Sequence, residues 1–175
     1  MLRLAETLAP LGDVVRFNFP YRDQGSGRPD PMPVLKRTIE EAVRRARIDL
    51  QPKQIFLGGR SMGGRAASML AAEGFACDGL LLFAYPLHPA GQPEKLRDAH
   101  LAKIRVPVLC FNGTRDALCT RELMEAAVSG LANWTVCWLE AADHSFRVLK
   151  SSGRTEAQVY EAIGAVSSRW LSERA

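Results

Sequence analysis

Long hydrophobic runs are missing from this chain. The longest apolar stretch, residues 79–84, falls far short of the roughly 20 residues that a helix needs to cross a bilayer. The opening MLRLAETLAPLG carries Glu6 and lacks the cationic start and small-residue cleavage site of a secretory signal. A cytoplasmic protein without membrane contact is the expectation. Cysteine is scarce as well: Cys77, Cys110, Cys119 and Cys137 form no CxxC pair, and Cys110 and Cys137 fall inside apolar runs. Buried thiols explain them better than zinc ligands or disulfides. Neither sign of charge dominates, with 23 Lys and Arg against 19 Asp and Glu. The densest basic group, Arg44, Arg45 and Arg47, sits beside Glu40 and Glu41, which reads as a solvated helix face with i,i+4 pairing. Basic residues interleaved with aromatics on one face are absent, which argues against a nucleic-acid partner. Repeats and low-complexity segments are absent too.

What is present is the balance of a globular domain, 47% apolar and 24% charged over 175 residues. One domain over 1–175 is expected. Short β-branched, apolar runs alternate with amphipathic stretches, the pattern of a parallel sheet covered by helices. Strands are predicted at 14–19, 55–58, 78–84, 106–112 and 134–139. Helices are predicted at 2–10, 34–47, 62–73, 93–103, 121–131 and 155–173, with a long loop over 21–33. The fold class is therefore α/β, a doubly wound, mainly parallel sheet of about five strands. Ligands of such sheets bind at the carboxyl ends of the strands.

Three strand ends carry reactive side chains. The second is followed by Gly59-Arg60-Ser61-Met62-Gly63, a G-x-S-x-G pattern. Mechanically this is a tight strand-to-helix turn that projects the serine from the sheet and offers the Met62 amide to a developing oxyanion. Asp116 follows the fourth strand and His144 the fifth. Alone, Asp116 reads as a turn or cap residue and His144 as an ordinary loop histidine. Together they give the order Ser, Asp, His on one edge of a sheet, which supplies a nucleophile, a carboxylate and a base. Ser61, Asp116 and His144 are the candidate catalytic residues. Tyr21, His88 and Phe146 are candidate pocket residues, because their segments end at the same edge. His100 is assigned a structural or exposed role, and Met69 a place in the core. No metal or organic cofactor is implied. The partner expected is a small acyl substrate.

GGRSMGGR (58–65), FNFPYR (17–22), AYPLHPAGQPEKLRDAHL (84–101), NGTRD (112–116) and ADHSF (142–146) resemble one α/β-hydrolase family. It contains dienelactone-hydrolase-like predicted bacterial hydrolases. It also contains the hydrolase-like subunit of an animal histone-acetyltransferase complex and its testis-expressed relatives. The resemblance implies the fold and the roles of Ser61, Asp116 and His144. Dienelactone hydrolase itself uses a cysteine where Ser61 stands, so its substrate is not carried over. Family members begin with a strand and an HGAG-like turn that supplies a second oxyanion amide, and neither is seen in this sequence. The chain is thus expected to be the C-terminal portion of the fold, lacking a strand between those at 14–19 and 55–58. The two flanking strands should then pair directly or leave a gap. Losing one oxyanion donor costs about 3–4 kcal/mol of transition-state stabilisation. The two readings are a serine hydrolase acting on a small ester, thioester or related acyl bond, and a catalytically weak scaffold or partner-binding module.

Overall fold

The computed structural model describes residues 1–174. In chain order the elements are α1 (Leu2–Leu8), α2 (Pro20–Asp23), α3 (Met32–Leu50), β1 (Phe56–Arg60), α4 (Met62–Ala72), β2 (Gly79–Phe83), β3 (Val108–Gly113), α5 (Arg121–Ala127), β4 (Trp134–Leu139) and α6 (Glu156–Ser172). The four strands form one parallel sheet in the order β1-β2-β3-β4.

Every residue of β2 and β3 is buried, as a sheet covered on both faces requires. Side chains alternate between two cores. Leu57, Leu80, Leu82, Val108 and Cys110 pack with Leu35, Ile39 and Val43 of α3, Ala67 and Leu70 of α4, and Met124 of α5. Leu81, Phe83, Leu109 and Phe111 pack on the other face with Leu4 of α1 and with Val159, Ile163 and Trp170 of α6. A helix–sheet–helix sandwich results, and the period-2 alternation along each strand is its direct cause. Helix α6 opens on a capping box: the Gln158 amide donates to Thr155 Oγ1, and the Gln158 side chain accepts from the Thr155 amide.

Two expected elements do not form. Residues 14–19 make no ladder with β1, and Val14, Val15 and Phe17 are exposed. A strand exists only where a neighbour accepts its N–H and C=O groups, and among the described residues no strand lies on the outer edge of β1. The segment is held by rings instead. Phe17, Phe19 and Tyr21 pack in series at centroid separations of 5.8 and 6.2 Å, and Phe19 lies against Gly63 at the start of α4. The sheet therefore has four strands rather than five. The helix expected at 93–103 is replaced by turns and a 3-10 turn at Leu101–Lys103. Its amides take other partners, chiefly Arg97 N–H to Leu87 O at 2.7 Å and Leu101 N–H to Asp98 O at 2.7 Å. Residues 21–23, at the start of the stretch read as loop, belong to one helical turn with Pro20 at its first position.

Candidate active site

Strand β1 ends one residue before Ser61, and α4 begins one residue after it. The reversal requires glycine. A Cβ on Gly59 would come within 2.5 Å of the Gly63 carbonyl carbon, and one on Gly64 within 2.6 Å of the Gly59 oxygen. Ser61 itself sits at φ 53°, ψ −119°, a conformation that L-residues rarely adopt. It is held there from both sides. Its amide donates to Phe83 O at 2.9 Å, and its carbonyl accepts from the Arg65 amide at 3.0 Å. The serine thus becomes the N-cap of α4, and Met62 is the first helical residue, whose amide has no acceptor within the helix.

The other two residues are brought in by β3 and β4. At the end of β3, Gly113 runs against the Ala142 main chain so closely that a Cβ would collide with its oxygen. Arg115 N–H donates to Ala142 O at 2.9 Å, and Ala141 N–H to Thr114 Oγ1 at 2.9 Å. These bonds tie the loop carrying Asp116 to the loop carrying His144. The latter is a tight reversal, closed by an antiparallel bridge between Ala142 and Val148 and by Asp143 Oδ1, which accepts from the amides of Ser145 and Arg147.

The result is a continuous chain of contacts. His144 Nε2 is 2.9 Å from Ser61 Oγ, and His144 Nδ1 is 2.8 Å from Asp116 Oδ2. The Asp116 side chain is fully buried, with Oδ1 accepting from Leu118 N–H at 2.8 Å, whereas 27% of the His144 side chain is exposed. An acceptor-only carboxylate at Nδ1 places the imidazole proton there and leaves Nε2 as an acceptor facing the serine hydroxyl. Chemically, the arrangement can take a proton from Ser61 and stabilise the imidazolium that forms.

The remaining candidates separate. Tyr21 lies beside Phe19, its amide donating to Asp30 Oδ2 at 2.9 Å, and lines a shallow surface depression that does not include Ser61. His88 is buried, its Nδ1 2.9 Å from Pro89 O and its Nε2 without a hydrogen-bond partner. Phe146 is not at the surface. It has φ 62° and is fully buried against the α6 side of the sheet, away from the solvent-facing side of the loop where the sequence placed it. The turn that exposes His144 swings Phe146 inward.

Two residues absent from the sequence reading support the site. Arg60, next to the serine, donates from Nη2 to His144 O at 2.8 Å and lies over the Phe146 ring, 5.8 Å from its centroid. Asn112, fully buried, accepts from Tyr85 N–H at 3.2 Å and donates to Tyr85 O at 3.1 Å. It thereby fixes the chain leaving β2. Asn112 had a signal, an amide side chain inside an otherwise apolar strand; Arg60 had none, because its partner is a carbonyl 84 residues away.

Burial disfavours the thiolate form of the cysteines. Burial raises the pKa of all four, Cys119 to about 12 with the Asp116 charge adding to the effect. Among the described residues no three His, Cys, Asp or Glu side chains gather as a metal site, and no helix is long and apolar enough to cross a membrane.

A family model described as alpha/beta hydrolase domain matches residues 1–172. The chain belongs to the alpha/beta hydrolase domain family. As an alpha/beta hydrolase it has many structural neighbours. One is an alpha-beta serine hydrolase homologue from Coxiella burnetii, at 20% identity and a TM-score of 0.72, covering 97% of this chain and 74% of that one. Est1E from Butyrivibrio proteoclasticus superposes with a TM-score of 0.69 at 18% identity, covering 98% and 81%. The esterase domain of a Rhodothermus marinus protein gives 0.66 at 19% identity, covering 96% and 79%. These likenesses show the fold.

Proposed function

We propose that this alpha/beta hydrolase is a serine hydrolase that cleaves a small ester, thioester or related acyl bond through Ser61, His144 and Asp116. The observation that carries the reading is the pair of contacts at 2.9 and 2.8 Å that links the three side chains in series. Ser61 Oγ attacks the acyl carbon while its proton passes to His144 Nε2, and the carbonyl electron pair moves to oxygen. Collapse of the tetrahedral adduct expels the alcohol or thiol, which takes the proton from His144. Water then repeats the sequence on the acyl-serine and regenerates Ser61. Asp116 holds the tautomer and balances the imidazolium charge. The Met62 amide, at the positive end of α4, is the oxyanion donor assigned to this chain.

Ester chemistry is in keeping with the neighbours: Est1E has been solved with ferulic acid bound. The segments 58–65 and 84–101 favour a place among dienelactone-hydrolase-like members of the family, with a serine nucleophile in place of cysteine. Four free cysteines suit a reducing compartment such as the cytoplasm. The reading is tested with para-nitrophenyl acetate and butyrate. Hydrolysis above background that disappears in both Ser61→Ala and His144→Ala supports it. Equal turnover by folded variants and the unaltered protein would end it.

A further inference from the structure

Helix α4 carries the serine at its N-cap, and its buried face is made mostly of small residues: Gly64, Ala66, Ala67, Ser68 and Ala71 beside Leu70. Small side chains let the helix lie close to the sheet, but each offers few atoms to hold it in register. Ser61 meanwhile sits at φ 53°, a conformation that persists only while its surroundings impose it. Among the described residues, one side chain of α4 hydrogen-bonds to another element: Ser68 Oγ lies 2.8 Å from His100 Nε2.

That contact belongs to a polar chain that runs from the nucleophile turn to β3. Ser68 Oγ donates to Arg65 O at 2.9 Å, and the Arg65 amide donates to Ser61 O at 3.0 Å. On the far side of His100, the same Nε2 lies 3.3 Å from Tyr85 Oη, which donates to Arg97 O at 3.3 Å. With both hydroxyl protons directed at carbonyls, the Nε2 hydrogen serves both oxygens. A neutral ring suits this role, and burial followed by the Arg65 charge lowers the His100 pKa to about 4. The Tyr85 main chain is clamped in turn by Asn112, at both its N–H and its C=O. Asn112 stands next to last in β3, the strand that delivers Asp116. The chain of bonds therefore joins the helix that holds the serine to the strand that leads to the acid.

We propose that His100 is a positioning residue for Ser61: by bonding Ser68 and Tyr85 together it fixes α4 against the chain anchored on β3. It thereby sets the 2.9 Å contact between Ser61 Oγ and His144 Nε2. Ser68 lies about 10 Å along the helix axis from Ser61, so a slip of α4 at Ser68 is passed along the helix to the N-cap and to the Met62 amide. A displacement of about 1 Å between reacting groups costs on the order of a hundredfold in rate. His100 acts only through Ser68 and Tyr85, and the assignment deepens the hydrolase reading, since it rests on Ser61 as the nucleophile.

The test compares His100→Leu, Ser68→Ala and their double variant with His100→Gln, whose amide nitrogen can stand in for Nε2 as a donor. With para-nitrophenyl acetate, kcat should fall about tenfold or more in each single variant while KM stays nearly constant. The double variant should fall no further than His100→Leu, because the Ser68 bond is already gone. His100→Gln should recover to within about threefold of the unaltered protein. Ile163→Val, a core loss on the opposite face of the sheet, should lower the melting temperature without moving kcat. Hydrogen exchange reads the clamp without turnover: amides 62–68 should lose protection in His100→Leu and Ser68→Ala, and those of α6 should keep theirs. Should His100→Leu not fold, Ser68→Ala carries the test alone. An unchanged kcat in the folded variants overturns the positioning role, as does an additive double variant or a His100→Gln as slow as His100→Leu. A fall in kcat no larger than that of Ile163→Val at equal loss of melting temperature overturns it too. If the unaltered protein hydrolyses nothing, the hydrolase reading is refuted and exchange decides the rest: lost protection over 62–68 leaves the clamp on α4 standing, and unchanged protection removes it.

Discussion

Asp116→Asn is the sharpest single perturbation of the proposed chemistry, because it changes one atom in a fully buried side chain. The replacement keeps Oδ1, so the bond from Leu118 N–H at 2.8 Å survives. The atom now 2.8 Å from His144 Nδ1 becomes an amide nitrogen, a donor where a carboxylate oxygen accepted. His144 can keep that contact only by moving its proton to Nε2, which then points a hydrogen at Ser61 Oγ instead of a lone pair. The ring stays in place and the base is lost. In comparable triads the tautomer switch lowers turnover by about 10⁴-fold, or roughly 5.5 kcal/mol of barrier. Second-order rates of ester hydrolysis should fall by that order, while the melting temperature moves by only a few degrees, since packing volume is conserved. A fall of less than about tenfold in a folded variant would refute the claim that the Asp116–His144 contact sets the tautomer.

Three further outcomes follow from the same geometry. Arg60→Ala removes a charge-assisted bond to the His144 carbonyl, and the rate should fall by about 1.5–3 kcal/mol, or roughly tenfold to a hundredfold. Arg60→Lys should restore little, because an ammonium cannot both reach the carbonyl and cover Phe146 with a flat face; full recovery would contradict the positioning role. Ser61→Gly and Ser61→Ala both delete the hydroxyl, but only glycine relaxes φ 53°, so Ser61→Gly should be the more stable by about 1 kcal/mol in denaturant melts. His100 titrates near 4 when folded and near 6.5 when unfolded. Between those values the unfolded chain binds a proton that the folded chain does not. Stability should therefore fall as pH drops from 6.5 toward 4, by less than about 1.4 kcal/mol per pH unit once the partial exposure of the ring is allowed for. The slope should flatten in His100→Gln, and an unchanged slope would exclude His100 as its source.

The parts of the fold that were legible in the sequence are those whose cause is local. Strands β2 and β3 are apolar on both faces because both faces are covered, so runs such as LLLF and VLCF declare themselves. The candidate site was legible for a related reason: Ser61, Asp116 and His144 each follow a strand, and parallel strands deliver their ends to one edge. Residues 14–19 have the composition of a strand but no ladder partner, and pairing is a property of the neighbour as much as of the segment. Residues 93–103 have helical composition, yet Arg97 N–H is drawn to Leu87 O, a contact no local pattern announces. Phe146 shares a loop with His144 but takes a positive φ and turns into the core, so proximity in sequence misplaced it. Arg60 acts through a main-chain carbonyl, which leaves no mark in the identity of its partner.

The central claim, that Ser61 is activated by His144 and Asp116, is tested most directly by intact-mass labelling with a fluorophosphonate probe. The account predicts a single adduct on the unaltered protein, none on Ser61→Ala, and strongly slowed labelling of His144→Ala and Asp116→Asn. Labelling of Ser61→Ala at the rate of the unaltered protein, or no adduct on a folded, monodisperse sample, would contradict it.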